Sequence, residues 1–530
     1  MSATETNGDP GVARRHLLAG AGFATAVTAL GVSTAADAAA TPVTLRPQGK
    51  GRRHIVPVPV VHGLHLQFGA DAATEVVVSW HTLAPVQGAR VLLGNERGDF
   101  KRSVAAETTS YVDEKSGTTV YAHHAALSRL RPGTSHLYAA VHDGTTPQFG
   151  TFTTGPRGRA RVTFTSFGDQ GTPTLGKLLP GTTTTWVNDN LGAPAGSDTT
   201  AGVEQVAPMF HLFNGDLCYA NLATDRIRTW WDFWANNSRS ARNRPWMPAA
   251  GNHENELGNG PIGYRAYQTY FSVPRAGGQT QVTRGLWYSF TVGAVRVISL
   301  ANDDVCYQDG GNSYVRGYSK GAQRTWLEQE LRRARHDRDI DWIVVCMHQV
   351  AISSADKANG ADLGIRQEWI PLFDRYGVDL VVCGHEHHYE RSHPIRGQEQ
   401  NATLTPKVAA TDTTVVETTK GTVHMVLGGG GSSFTSNQLL FQPPACRVIT
   451  AVGAPDPTTG KRPPVYVMDT ARWSASRDGE HPYGFAAFDV DPGRPGGDTT
   501  ITVTYYDATG VGGGLQAFET FQLKRPRSDR

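Results

Sequence analysis

Five short polar blocks, each at the end of an apolar run, are the feature that most constrains the fold of this chain. The blocks are GDQG (168–171), GDLCYAN (215–221), GNHE (251–254), VVCMH (344–348) and GHEHHYER (384–391). The apolar runs are near-continuous, as expected of strands that are covered on both faces. Because open α/β sheets place functional groups at the carboxyl ends of their strands, we expect the blocks to converge at one edge. The residues predicted to meet there are Asp169, Asp216, Asn252, His348 and His385.

Helical patterns lie between the apolar runs from residue 158 onward. One follows Ser319, which is placed to cap it, and its apolar side consists of Ala322, Trp326, Leu327, Leu331 and Ala334. A second helix is predicted from Ile365 to Tyr376, with a stop at Gly377. The alternation predicts an α/β domain over 158–530, with an α+β sandwich of two central sheets and flanking helices.

Three stretches of this domain have other compositions. Residues 173–203 and 397–420 are rich in Thr, Gly and Asn and are predicted to be long insertions. The GGGG run at 428–431 is either a plain loop or a place where backbone approaches the substrate. From 421 onward the chain returns to strand character, and these strands are expected to close the same domain.

The segment 58–157 has the two-residue period of an all-β domain. Leu64, Leu66 and Phe68 alternate with polar residues, and short strands recur between turn signals. This spacing predicts a β-sandwich. The segment resembles a fibronectin type III-like domain in Trp80 and in the Pro-Gly-Thr turn at 132–134. The histidines of this region are expected to be surface or strand residues rather than ligands; they are His62, His65, His123 and His124.

The first forty residues have the pattern of an export signal. Arg14 and Arg15 precede an apolar stretch at 17–32, and AADAAA at 35–40 offers cleavage sites between small residues. This resembles a bacterial twin-arginine signal, which predicts a secreted protein and leaves 41–57 as a linker. A short membrane anchor is the alternative interpretation of 17–32. After signal removal we predict no membrane span.

The net charge of the chain limits its expected binding partners, and its cysteine count limits its expected disulfides. A formal net charge of +2 over 530 residues gives no electrostatic case for nucleic acid or for an anionic membrane. The sequence leaves the oligomeric state open. Five cysteines, an odd number, leave at least one thiol free, and Cys306 with Cys446 is the expected pair if one forms.

The donor atoms of the five blocks sort into two sets by charge. Asp169, Asp216 and Tyr219 are hard anionic oxygen donors, which suit a trivalent ion such as Fe(III). The second set is neutral apart from the shared Asp216, so it suits a divalent ion such as Zn, Mn or Fe(II); it comprises Asn252, His348 and His385. The order predicts two metal ions that share one carboxylate, a centre suited to phosphate-ester hydrolysis.

All five blocks together resemble the purple acid phosphatase branch of the metallophosphoesterase superfamily. The resemblance implies that Asp169, Tyr219 and His387 bind a ferric ion and that Asp216 bridges to the divalent ion. It implies that His253 contacts the phosphate or protonates the leaving oxygen, and that a metal-bound hydroxide attacks a phosphate monoester. Tyr219 is the discriminating residue, because other metallophosphoesterases lack a tyrosinate there.

Several residues beside the predicted ligands have assignments of their own. His388 is a candidate substrate contact, with a supporting or a surface position as the alternatives, and Asn252 is a candidate for both metal and substrate. Glu254, Glu390 and Arg391 are expected to orient the ligands.

One departure from the plant-like members bears on the substrate. The segment 349–369 lacks the histidine pair that those members carry after the fourth block, so Lys357, Asp362 or the 173–203 insertion would have to contact the substrate. The departure keeps a phosphodiesterase or nucleotidase as an alternative function. A surface-binding protein with an inert metal domain is a third, which absence of bound metal would favour.

Overall fold

The computed structural model describes residues 58–529 with several gaps. The gaps are 96, 174–176, 179–185, 188–192, 312, 357–358, 433–439 and 509–513. The predicted signal (1–40), the predicted linker (41–57) and Lys357 lie outside the described residues. In the described part of the chain, every helix is too short or too polar to cross a lipid bilayer.

The amino-terminal part is an all-β sandwich of two four-stranded antiparallel sheets. The sheet orders are β1-β2-β6-β5 and β4-β3-β7-β8. The strands are β1 (His62–Phe68), β2 (Val76–Thr82), β3 (Arg90–Gly94), β4 (Phe100–Ala105), β5 (Glu107–Val112), β6 (Thr119–Leu127), β7 (Ser135–Val141) and β8 (Gln148–Thr153). Trp80 lies fully buried in β2, as the sequence predicts.

The rest of the chain alternates strands and helices before ending in strands. In order the elements are β9 (Val162–Phe167), β10 (Lys177–Leu178), β11 (Trp186–Val187), α1 (Ala195–Val206), β12 (Phe210–Phe213), α2 (Arg226–Ala241), β13 (Trp246–Pro248), α3 (Arg265–Tyr270), β14 (Tyr288–Val292), β15 (Val295–Ser299), α4 (Ala322–His336), β16 (Trp342–Cys346), β17 (Ala361–Asp362), α5 (Leu363–Glu368), α6 (Ile370–Tyr376), β18 (Leu380–Cys383), β19 (Tyr389–Ser392), β20 (Ile395–Gln398), β21 (Pro406–Val408), β22 (Val415–Glu417), β23 (Val423–Leu427), β24 (Ala445–Val452), β25 (Pro464–Thr470), β26 (Ser474–Arg477), β27 (Gly484–Asp491), β28 (Asp498–Ala508) and β29 (Leu515–Pro526).

Two seven-stranded sheets form the centre of this region. Their orders are β13-β12-β9-β27-β28-β29-β22 and β14-β15-β16-β18-β23-β19-β26. β9, β12 and β13 are parallel, as are β15, β16, β18 and β23. β27 pairs antiparallel with β9, so the late strands belong to the same sheet as the first ligand block. The α/β prediction is confirmed.

Both faces of the central strands are buried, which explains their continuous apolar runs. In β16, Val344 belongs to the core that Phe164 and Phe488 share, whereas Val345 packs in the core that contains Trp326 and Leu327 of α4. Successive side chains of a strand point to opposite faces, so two cores require an apolar residue at every position.

The helices follow the sequence signals with two differences. α4 is formed as predicted, although Gly321 precedes it and the hydroxyl of Ser319 accepts from the Gln323 amide at 3.3 Å. The predicted helix 365–376 is two helices that break at Trp369, because Pro371 lies in the first turn of α6; Gly377 ends α6 in the left-handed region.

The predicted insertion 173–203 contains the start of α1. Thr199 and Thr200 are buried there, and Thr200 donates to Asn237 of α2 at 2.8 Å. Thr-rich sequence is a weak helix former, so this helix depends on its tertiary contacts and gave no sequence signal.

One face of the sandwich packs against α2 and α3. The ring of His62 stacks on Trp231 at 3.4 Å, and the ring of His65 stacks on Trp234 at 3.9 Å. His65 and His124 also hydrogen-bond the carbonyls of Tyr270 and Thr269, each at 3.0 Å. These histidines are strand residues, as predicted, but they are interface residues rather than surface ones.

All five cysteines are buried and none forms a disulfide with another described residue, so the expected Cys306–Cys446 pair is wrong. Cys446 lies in β24, where its sulfur contacts Arg366 at 3.5 Å. Burial raises the pKa of the Cys446 thiol to about 11, which keeps it protonated near neutral pH.

Candidate metal centre

The five ligand blocks converge because their strands end at the same edge of the two sheets. Asp169 lies two residues after β9, and Asp216 lies three residues after β12. His348 and His385 each lie two residues after a strand of the other sheet, β16 and β18. Asn252 begins a 3₁₀ turn at 252–254 that follows β13. The strand-end argument therefore placed all five blocks at one edge.

Three donors form the first set. The hydroxyl oxygen of Tyr219 lies 3.1 Å from Asp169 Oδ1 and 3.1 Å from His387 Nε2. His387 Nε2 lies 3.2 Å from Asp169 Oδ1. Donors about 2.1 Å from an ion and at right angles are separated by about 3.0 Å, so these three atoms are spaced as ligands of one ion.

Four donors form the second set. His348 Nε2 lies 3.0 Å from Asp216 Oδ2, 2.9 Å from Asn252 Oδ1 and 3.2 Å from His385 Nδ1. His385 Nδ1 lies 3.0 Å from Asn252 Oδ1. Asp216, His348 and His385 also form a buried group whose ligand atoms all lie within 4.8 Å of one another. The second set therefore also has the spacing of ligands around one ion.

Four of the seven donor residues have backbones in the left-handed region. The φ angles are 60° for Asp169, 51° for Asp216, 59° for Tyr219 and 71° for His385. Such backbone costs about 1–3 kcal/mol for a residue other than glycine and persists only where surrounding contacts hold it. Strain is thus concentrated where side chains must point together.

The charges of the donors explain why the cluster suits cations. Burial opposes ionisation of Asp216, yet His348 and His253 lower its pKa. Although burial disfavours its charge, Asp216 and Asp169 raise the pKa of His348 to about 10. Burial, Asp169 and Asp216 raise the pKa of the Tyr219 phenol, so a phenolate there requires a neighbouring cation.

Glu254 holds two ligand blocks together. Its buried carboxylate accepts from the backbone amides of Asp216 at 2.9 Å, Leu217 at 2.8 Å and Gly251 at 2.7 Å. A carboxylate between three amides fixes the turn that carries Asp216, which agrees with the orienting role expected of Glu254.

Two further groups set which ring nitrogen each histidine presents. His348 Nδ1 lies 2.7 Å from the Asn214 carbonyl oxygen, so this nitrogen carries the proton and Nε2 faces the second set. His385 Nε2 lies 2.8 Å from Gln308 Oε1, which leaves Nδ1 facing the set. Such partners fix tautomer and orientation. The sequence analysis missed Asn214 and Gln308, although Asn214 stands two residues before Asp216.

The GGGG run packs against the backbone of the ligand block that contains Asp169. The Gly430 amide donates to the Gly168 carbonyl at 2.9 Å, and the Ser432 amide donates to the Asp169 carbonyl at 2.8 Å. A Cβ on Gly430 would lie 2.3 Å from the Gly168 oxygen, so only glycine permits this approach. Ser432 also donates to the Tyr219 oxygen at 2.9 Å. The run is therefore a packing element against the ligand block.

His253 lies at the open side of the cluster. Its Nδ1 is 2.9 Å from Asn221 Oδ1, its Nε2 is 4.0 Å from Asp216 Oδ2, and 21% of its side chain is exposed. Burial lowers the pKa of His253 and Asp216 raises it, with a net lowering. Asn221 Oδ1 therefore accepts a hydrogen bond from Nδ1–H, and Nε2 faces the space beside Asp216.

Three predicted neighbours lie elsewhere. His388 is fully buried and its Nε2 lies 3.2 Å from Glu390, so it is not open to substrate and its assignment as a substrate contact is corrected. Arg391 pairs with Glu519 and stacks over Phe521, away from the donors. Asp362 caps α5 through the Gly364 amide at 2.7 Å and is buried, so it is a structural residue.

Comparisons with known proteins agree with this geometry. Residues 61–154 match the family model described as Purple acid Phosphatase, N-terminal domain, and residues 198–389 match Calcineurin-like phosphoesterase. An uncharacterized protein of Mycobacterium tuberculosis is 59% identical over 517 residues, 98% of this chain and 97% of its own length. A purple acid phosphatase of Glycine max is 28% identical over 348 residues, 64% of this chain and 67% of its own.

The chain belongs to the purple acid phosphatase family. The purple acid phosphatase PPD1 from yellow lupin (Lupinus luteus) seeds has the same fold, with a TM-score of 0.64 at 22% identity over 89% of this chain and 75% of that one. Membership makes the chain a phosphoesterase and implies a dinuclear metal centre. The two donor sets fit such a centre, because each contains three or four ligand atoms about 3 Å apart. Asp216 also relates the two sets, since it is a donor of the second and its charge acts on Tyr219 of the first.

Proposed function

We propose that the protein is a secreted binuclear metallohydrolase that cleaves phosphate monoesters. The observation that carries the proposal is the pair of donor sets beside the partly exposed His253, with Asp216 in the second set and its charge acting on Tyr219 of the first. A phosphate ester has the charge and the size to lie between two cations and a proton donor. Two bound ions would stabilise charge on the phosphoryl oxygens and supply a nucleophile from water near neutral pH.

We assign Fe(III) to the first set and Zn, Mn or Fe(II) to the second. The first set contains two anionic oxygens, from Asp169 and Tyr219, which favour a hard trivalent ion. Tyr219 supports this assignment further. Because the pKa of its phenol is raised, the phenolate needs a neighbouring cation, and the Ser432 hydroxyl donates a hydrogen bond to its oxygen. The second set contains one carboxylate and three neutral donors, which favour a divalent ion.

We assign His253 the role of general acid, which donates a proton to the leaving oxygen of the ester. Asn221 accepts from Nδ1, so the second proton of the imidazolium lies on Nε2, the nitrogen near Asp216. Burial lowers the pKa of this group, which makes it a readier donor. Asn221 acts as a positioning residue because it holds the ring in this orientation.

The first experiment compares p-nitrophenyl phosphate with bis-p-nitrophenyl phosphate as substrates of the purified, metal-loaded protein. We expect a strong preference for the monoester. In the segment 349–369, which lacks the histidine pair of plant-like members, residues 349–355 are buried and offer no side chain to a second ester group. A preference for the diester would refute the monoesterase proposal, and a metal-free, inactive protein would favour the binding-protein alternative.

A leaving-group series tests His253. We expect His253→Ala to lower kcat on an alkyl phosphate by about 10²–10⁴-fold and to lower it far less on p-nitrophenyl phosphate, whose leaving group needs no proton. His336→Ala, at an exposed position in α4, is the control. Equal losses on both substrates would exclude proton donation by His253.

The proposal of secretion depends on Arg14 and Arg15. Replacing both by lysine keeps the charge but removes the arginine pair, and twin-arginine export requires the pair. We expect the native sequence to release a processed enzyme outside the cytoplasm and the double-lysine variant to remain inside. Equal export of both would contradict this route.

A further inference from the structure

A second cluster of metal-ligating side chains lies apart from the seven donors. Asp478 directly follows β26, His481 lies in the loop before β27, and Asp507 is near the end of β28. His481 Nδ1 lies 3.0 Å from Asp478 Oδ2 and 3.3 Å from Asp507 Oδ2. One ligand atom from each residue lies within 4.8 Å of the other two.

The two carboxylates of this cluster have less positive charge around them than is needed to neutralise both. The side chains of Asp478 and Asp507 are 1% and 2% exposed. Among the described residues, the ion pairs of both carboxylates are with His481 and none is with Lys or Arg. Burial and the Asp478 charge raise the pKa of Asp507 to about 7, as expected of two acids in contact. With both carboxylates ionised, one imidazolium leaves one net negative charge in the cluster.

Unsatisfied polar atoms lie in the cluster and on the strand face that carries Asp507. Both carboxylate oxygens of Asp507 are buried and accept no hydrogen bond from the described residues. Within the same part of the chain, the buried hydroxyl of Tyr505 also has no hydrogen-bond partner. Tyr505 precedes Asp507 by two residues in β28, so both side chains are on one face of the strand. Buried polar atoms are satisfied in most proteins, and an ion or its bound water would satisfy these.

The Asp478 carboxylate is already held in a ligating position. Its Oδ1 accepts from the amides of Glu480 at 2.8 Å and His481 at 3.0 Å, which leaves Oδ2 toward the cluster. Donors about 2.1 Å from an ion are separated by about 3.0 Å at right angles and about 3.4 Å at tetrahedral angles. The separations of 3.0 and 3.3 Å in the cluster match this spacing.

We propose that Asp478, His481 and Asp507 form a third metal site, which binds a structural divalent cation of the class that accepts mixed nitrogen and oxygen ligands, Zn²⁺ or Mn²⁺. Two carboxylates and a neutral imidazole balance the charge of such an ion. The side chain of His481 is 38% exposed, which leaves an entry path and room for water ligands.

The position of the site gives the ion a stabilising role. It joins the end of β26 to the end of β28 and constrains the loop that leads to Gly484. The Gly484 amide donates to the Gly429 carbonyl at 3.0 Å, and the next glycine, Gly430, donates to Gly168 beside Asp169. The ion therefore clamps a loop that supports the first ligand block from behind, without touching substrate.

Metal content per chain tests the site. The full-length protein is loaded with Zn²⁺ or, separately, Mn²⁺, passed into metal-free buffer, and measured by mass spectrometry of the elements. We expect three ions per chain in the native protein and two in Asp507→Asn. Asp498→Asn removes a partly exposed carboxylate that lies in the same strand as Asp507 and pairs with Lys524 of β29, and this control should keep three ions.

A second background separates this site from the catalytic centre. Asp216→Ala should remove the binuclear centre and retain one ion, whereas Asp216→Ala with Asp507→Asn should retain none. His481→Gln is a second variant in case Asp507→Asn fails to fold. An anomalous scattering peak between the three side chains of the native protein would show the bound ion without any variant. Equal metal contents with and without Asp507, and no such peak, would overturn the proposal and leave His481 as the imidazolium of an ion-pair triad.

Discussion

Glu254→Gln tests how the metal centre keeps its shape. The carboxylate accepts from three buried amides, two at Oε2 and one at Oε1. Glutamine keeps one acceptor oxygen for the Asp216 and Gly251 amides, but its NH₂ group then faces the Leu217 amide. We expect one hydrogen bond to be lost, one buried N–H to be unsatisfied and the two others to be weakened.

The magnitude follows from these three changes. An unsatisfied buried donor costs about 1–3 kcal/mol, and a bond to a neutral acceptor is about 1 kcal/mol weaker than one to a charged acceptor. The free energy of unfolding should therefore fall by about 4 kcal/mol. The same amides hold Asp216 at a φ of 51°, so the released turn relaxes and the second donor set loses its geometry.

The assay combines urea unfolding with metal content and kcat on p-nitrophenyl phosphate. Glu256→Gln is the matched control, because Glu256 is a buried carboxylate two residues away whose partners, Trp230 at 2.7 Å and Asn259 at 2.7 Å, lie outside the ligand blocks. Both variants should lose stability, but only Glu254→Gln should lose metal and activity. If Glu254→Gln were as unstable as the control yet kept both ions and full kcat, the reasoning would be refuted.

Three other predictions concern single residues. His348 has a pKa raised to about 10 without an ion, so binding of Zn²⁺ must displace its proton. The apparent affinity for Zn²⁺ should therefore rise with pH, by up to about tenfold per pH unit below pH 10. An affinity for Zn²⁺ that chelator competition shows to be independent of pH would contradict this. Tyr219→Phe should abolish the visible absorption of the iron-loaded protein, and an unchanged spectrum would exclude Tyr219 as an iron ligand. Trp234→Ala should lower the free energy of unfolding by about 3–5 kcal/mol because Trp234 is buried against His65, whereas the more exposed Trp231→Ala should cost less.

Much of the metal centre follows from the sequence because its donors stand at strand ends. The continuous apolar runs predict strands buried on both faces, and Val344 and Val345 show why, since each packs in a different core. Parallel strands end at one edge, so Asp169, Asp216 and His348 are predictable neighbours without coordinates.

The predictions failed where a residue's role depends on a distant partner. His65 alternates with apolar residues as a solvent-facing position would, yet the stacking partner Trp234 covers it. His388 belongs to a ligand-rich block, but Glu390 turns its ring into the core. Periodicity reports whether a side chain shares a face with its neighbours and says nothing of what covers that face.

The amino-acid sequence by itself determined the strand ends, the order of the ligands and the family, because these are local properties of the chain. The tertiary structure decided which atoms lie about 3 Å apart, which histidine nitrogen Asn214 and Gln308 leave free, and where Asp478, His481 and Asp507 meet. The cluster of Asp478, His481 and Asp507 joins the ends of strands from different sheets, and only packing between sheets brings such residues together.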